Sequence, residues 1–151
     1  MEGKYKRGEQ SRRDKKVQKN IEKLEKHQLP IATTWNASDY LDFENKIYAG
    51  RPNTYGMRWA NVFQQQSDLL IAVGTRLNLQ QTGFNFAEFM PLGKIVQVDL
   101  DQAELSKPNP GINLGIKMDS SDFLKVLLDE FKLEDNFVKR VEWLNFLDLV
   151  K

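Results

Sequence analysis

A chain of 151 residues is long enough for one globular domain with a core of its own, and it offers nothing a bilayer would accept. Its longest apolar run, residues 69–73, falls far short of the roughly 18–20 residues of a membrane span, and its charged amino terminus leaves no room for a signal peptide. The absence of cysteine excludes disulfides and thiolate metal sites and points to the cytoplasm, while the net charge of +1 conceals an asymmetry: residues 1–26 hold ten Lys or Arg against five Asp or Glu, the remainder twelve against sixteen.

Residues 1–13 form a basic leader that reads as a solvated, disordered segment. Binding to nucleic acid is the alternative, weakened because Tyr5 is the sole aromatic there that could stack on a base. From Arg13 the pattern turns helical, with Val17, Ile21 and Leu24 on one narrow stripe expected to cover a face of a sheet. Pro30 disfavours helical geometry at Leu29, so this helix should end near His27. His27 is the only histidine, and its place in a last helical turn suits a partner for the helix dipole better than a catalytic base.

Residues 30–35 (PIATTW) read as a strand, followed by a polar loop of about twenty residues, a length that in a compact domain tends to be functional. Residues 56–66 read as a helix leading into an apolar strand at 68–74 (DLLIAVG). A second long loop follows, and then a strand at 94–99 (KIVQVD). Asp101 is placed to cap a short helix, QAELSK, closed by Pro108 and Pro110. Residues 112–118 form a weaker last strand, Asp119 or Ser120 caps a helix running to Phe131, and a final helix spans 136–150. This alternation predicts an α/β fold of three layers, a mostly parallel sheet flanked by helices. No apolar run precedes Arg13, and Gly3 and Gly8 make no phosphate-binding fingerprint, so the first strand is expected to be missing. A sheet without it would expose an edge, which favours self-association or a replacement strand.

Parallel strands present ligands to their carboxyl ends, so chemistry is expected there. Gly74, Thr75 and Arg76 follow one strand: the glycine lets backbone amides approach a ligand, the hydroxyl donates to a phosphate or ribose oxygen, and the guanidinium suits a bidentate anion contact. The plainer alternative is a turn at Gly74 with Arg76 paired to a nearby acid. Asp99 ends the next strand, where an acid accepts from ribose hydroxyls in dinucleotide folds. Thr33, Thr34 and Trp35 would lie on the same edge, Trp35 being equally readable as core. Arg51 and Asn53 stand in a glycine- and proline-bounded turn that explains them as well as a ligand does. One histidine and no cysteine provide neither a metal cluster nor a Ser-His-Asp triad, and no Walker loop is present. The residues thus point away from catalysis by this chain alone.

Taken together, PIATTWNASDY, YAGRPNTYGMRWANVFQQQSDLLIAVGTRL, LQQTGFN and KIVQVDLDQAELSK resemble the central domain of thiamine-diphosphate-dependent enzymes of the acetolactate synthase group. With Trp35, Arg51, Gln80 and Gln81 the chain looks most like the acetolactate synthase-like proteins of bacterial surface-polysaccharide gene clusters. The resemblance implies a Rossmann-like domain over residues 14–131, related to the nucleotide-binding domain of sirtuins, with 132–151 a helix and linker toward a third domain. It implies thiamine diphosphate and magnesium held by two flanking domains, a 2-keto acid substrate, and FAD in the middle domain of some members. Carried over residue by residue, the flavin contacts would fall at Thr34, Trp35, Gly74, Thr75, Arg76, Asp99, Asp119 and Ser120. Asn78 and Gln80 replace the charged residues that flavin-binding members carry, and the glycine-rich turn after a first strand is lacking, so any FAD site here is residual. The implied role is a structural, nucleotide-binding-type domain, self-associating and not competent alone. A sirtuin-type deacylase would need a histidine in a strand-end loop and a four-cysteine zinc site, and neither is found. An FAD or NAD module of other function and a nucleic-acid module are the remaining alternatives.

Overall fold

The computed structural model describes residues 12–130 and 137–151. The basic leader lies outside them except for its last two residues, as does Phe131, the expected end of the helix that follows the last strand. Three parallel strands form the sheet in the order β1 (Leu69–Val73), β2 (Lys94–Asp99), β3 (Leu114–Lys117). Val73 lies opposite Val98, and Val96 opposite Leu114. Such pairing needs crossovers. The chain supplies them through α3 (Leu79–Thr82) with a 3-10 turn at Phe86–Glu88, and through α4 (Gln102–Ser106). The middle strand buries Ile95, Gln97 and Val98, whereas Leu69 on edge strand β1 is half exposed. Ala72, Leu77, Phe89, Met90 and Ile95 make the core on this sheet, so the predicted second loop contributes three of its side chains rather than running over the surface.

Residues 30–35 are not a strand. Ile31 makes a single parallel bridge with Tyr48, through Ile31 N–H to Ile47 O and Ala49 N–H to Ile31 O, both 2.8 Å, and residues 35–37 coil into a 3-10 turn. The partner run is too short to extend the ladder: at Gly50 the backbone turns left-handed, with φ of +73°, and Pro52 follows. That conformation also brings α2 (Arg58–Gln65) close, since a Cβ on Gly50 would lie 2.7 Å from the Trp59 ring and 2.8 Å from Ala60. The predicted polar loop is therefore partly core, with Leu41 and Ile47 through Gly50 buried.

Helix α1 (Arg12–Lys26) runs along α5 (Ser120–Glu130) rather than lying on the sheet, with Lys23 and Asp129 paired at 2.9 Å and Ile21 packed on Leu41 and Tyr48. Helix α6 (Phe137–Val150) docks on α2. The rings of Phe63, Trp143 and Phe146 stack there at centroid distances of 4.6–6.1 Å, and Leu147 is almost fully buried. Within the described residues no helix is long and apolar enough to cross a membrane.

Candidate functional site

The strands end on one side of the sheet, and the turns leaving them gather Gly74, Thr75, Arg76, Asp99, Asp119 and Ser120 along that edge. Gly74 has a left-handed φ of +62°, and its N–H donates to Val98 O at 2.9 Å. A Cβ on it would stand 2.6 Å from Ser120 Oγ, so the missing side chain lets the first turn of α5 close on the end of β1. Asp119 accepts from Ser121 N–H at 2.8 Å, which makes it, of the two expected caps, the one that caps α5.

Thr75 is held from two directions. Its hydroxyl donates to Gln81 Oε1 at 3.0 Å, and its carbonyl accepts from Gln97 Nε2 at 3.1 Å. Gln97 is fully buried, and its Oε1 has no hydrogen-bond partner among the described residues. Sequence reasoning missed this residue, although an amide inside the apolar run KIVQVD was a visible signal, since buried polar groups are retained where they bond something. Arg76 carries out the plainer of its two readings, with Nε 3.6 Å from Glu104 Oε1. The guanidinium is mostly exposed, so solvent screens that contact and an arriving anion competes with it. Lys107 donates to Arg76 O and pairs with Glu104 at 3.0 Å, bringing a second cation to the edge. Asp99 Oδ1 accepts from Asp101 N–H, and Asp101 caps α4 through Ala103 N–H, both at 2.9 Å.

Thr34 and Trp35 belong to another group. Thr34 O accepts from Ala37 N–H in the 3-10 turn, and Trp35, 55% exposed and so not core, lies under the Arg51 guanidinium at 5.7 Å. No hydrogen bond or ring contact among the described residues joins this pair to Gly74 or Asp99. Asn53 is structural: it exchanges bonds of 2.8 and 3.0 Å with Asn61 and accepts from Tyr55 N–H. Thr54 ties its loop to Gln80 O, next to the Gln81 that holds Thr75. Two shallow concavities of about 390 and 600 Å³ lie elsewhere, around Glu44–Ile47 and around Thr82–Asn85, and none of the eight predicted residues lines them.

His27 is buried beyond the end of α1, and that burial, with Lys26, Arg140 and Lys23 nearby, holds its pKa below the ordinary 6.5. It is thus neutral at pH 7. A favourable interaction with the helix dipole would require the cation, so that expectation is corrected. Among the described residues no three His, Cys, Asp or Glu are grouped to hold a metal ion.

A parallel sheet with helical crossovers and its turns gathered at the carboxyl ends of the strands is the framework of a Rossmann-like α/β domain. The family described as "Thiamine pyrophosphate enzyme, central domain" matches residues 7–127, and the chain belongs to that family. It is similar to the acetolactate synthase isozyme 1 large subunit of Escherichia coli, 33% identical over 81% of this chain and 21% of the relative. It is likewise similar to the acetolactate synthase large subunits of Corynebacterium glutamicum, 31% identical over 82% and 20%, and Cyanidium caldarium, 33% identical over 78% and 20%. The chain spans about a fifth of the length of these relatives.

Proposed function

We propose that this chain serves as the middle domain of a thiamine-diphosphate- and magnesium-dependent enzyme acting on 2-keto acids, where it positions the flanking domains and is not competent alone. The observation that carries the reading is the convergence of Gly74, Thr75, Arg76, Asp99 and Ser120 on the carboxyl edge of a sheet belonging to that family. In the whole enzyme thiamine diphosphate would supply the carbanion chemistry that decarboxylates a 2-keto acid such as pyruvate and transfers the remaining fragment. Purified chain given pyruvate, thiamine diphosphate and magnesium should release no acetolactate, and measurable product would overturn the reading.

The edge fits a dinucleotide in part. Asp99 uses one carboxylate oxygen on Asp101 and offers the other to a ribose hydroxyl. Arg76 and Lys107 bring positive charge for a pyrophosphate, but the Thr75 hydroxyl is committed to Gln81. A weak FAD site is the reading these residues support. The exposed outer side of β1, with Leu69 on it, supports self-association along that edge, which a measured solution mass tests. A cysteine-free composition supports a cytoplasmic setting.

A further inference from the structure

The long loop after residue 35 and the start of α2 build a feature that the carboxyl edge does not use. Phe43, Tyr48 and Trp59 stand mutually edge-on, with centroids 6.4–6.5 Å apart and ring planes 69–84° from one another. Into this box reaches the Lys151 ammonium, 4.8 Å from the Phe43 centroid, 5.9 Å from Tyr48 and 5.8 Å from Trp59. Its Nζ donates to Phe43 O at 2.7 Å. We propose that Phe43, Tyr48 and Trp59 form a binding site for a quaternary alkylammonium group, occupied in this structure by Lys151.

Three ring faces turned on one point attract a cation through their quadrupoles, and the attraction is strongest for a cation that gives up little hydration. A primary ammonium carries three donors, and among the described residues one finds an acceptor, Phe43 O. No carboxylate among the described residues lies within ion-pairing distance of Lys151. A quaternary ammonium brings no donors to satisfy, so the box suits it better than it suits the lysine. The walls are also fixed beforehand. Tyr48 is buried against Ile21 and Leu41, and Trp59 is wedged over Gly50, where a Cβ would be 2.7 Å from its ring. Phe43, half exposed, is the wall most open to solvent, and the Lys151 ammonium is what a ligand must displace.

The test titrates the full ¹⁵N-labelled chain with tetramethylammonium chloride, following the Trp59 indole N–H, identified by its loss in Trp59→Phe, against potassium chloride at equal ionic strength. Expected is a saturable shift specific to tetramethylammonium, with affinity about tenfold higher in Lys151→Ala, where no resident side chain competes, and about tenfold lower once Phe43→Ala is added. Phe43→Leu, which keeps apolar bulk without a ring face, should weaken binding likewise if the alanine variant loses its fold by circular dichroism. Choline and a peptide carrying trimethyl-lysine separate a small-molecule source from a chain-borne one by their relative affinities. An equal response to potassium, no saturable shift in Lys151→Ala, or undiminished binding in a folded Phe43 variant would overturn the proposal.

Discussion

Gly74 and Ser120 meet where β1 ends and α5 begins, so closely that a methyl group on the glycine would lie 2.6 Å from the serine oxygen. The contact couples a left-handed turn at one strand end to the helix that follows the last strand. Gly74→Ala should cost about 1–2 kcal/mol for the left-handed backbone alone. Ser120 can turn its hydroxyl aside, so Ser120→Ala in that background should recover less than half of the loss. Urea midpoints of the two single variants and the double variant check this, and full recovery would place the strain in the contact instead of the backbone.

Gln97 is the polar residue inside the central strand, and its amide holds the carbonyl of Thr75. Gln97→Ala should destabilise the fold by about 2–4 kcal/mol, through a cavity and an acceptor left without its donor. Hydrogen exchange should rise at Thr75 and Arg76 beyond the global change. Equal protection there would show that the bond does not order the turn.

Leu147 and Leu149 lie on the same helix, one 1% exposed and the other 82%. Leu147→Ala should cost about 2–4 kcal/mol, because it empties the space this buried side chain fills in the cluster with Ala49 and Phe63. Leu149→Ala should change stability by less than about 0.5 kcal/mol. Chemical denaturation distinguishes them, and similar losses would mean that α6 is not docked as described.

His27 has its pKa lowered in the folded chain by burial, with Lys26, Arg140 and Lys23 adding to the effect. The unfolded chain therefore binds the proton first as pH falls below about 6.5, and stability declines from there toward the lower folded value. Above that pH both states are neutral and the stabilisation is complete. Denaturation midpoints compared between pH 7.5 and 5.5 should fall less in His27→Gln than in the native chain. An unchanged slope would remove His27 as the cause.

Much of the sheet was legible because β1 and β2 are short apolar runs that stop at Gly74 and Asp99, and because Asp101 stands one residue before a helical pattern. The strand expected at residues 30–35 was misread for a physical reason: a ladder needs two partners, and its partner ends at the left-handed Gly50. Composition alone made residues 36–55 look polar, although Ile47 through Gly50 are buried. Trp35 lies under the Arg51 guanidinium because the chain coils at 35–37 instead of extending. The ring box was beyond reach of the sequence, since Phe43, Tyr48, Trp59 and Lys151 are joined by tertiary packing and share no period.

Titration of the full chain with FAD, followed by flavin fluorescence, tests the central claim that the carboxyl edge is a nucleotide-binding-type site. The expected result is weak, saturable binding that drops about tenfold or more in Arg76→Ala, the loss of a charged hydrogen bond worth about 1.5–3 kcal/mol. Absence of saturable binding, or binding indifferent to Arg76, would contradict the account.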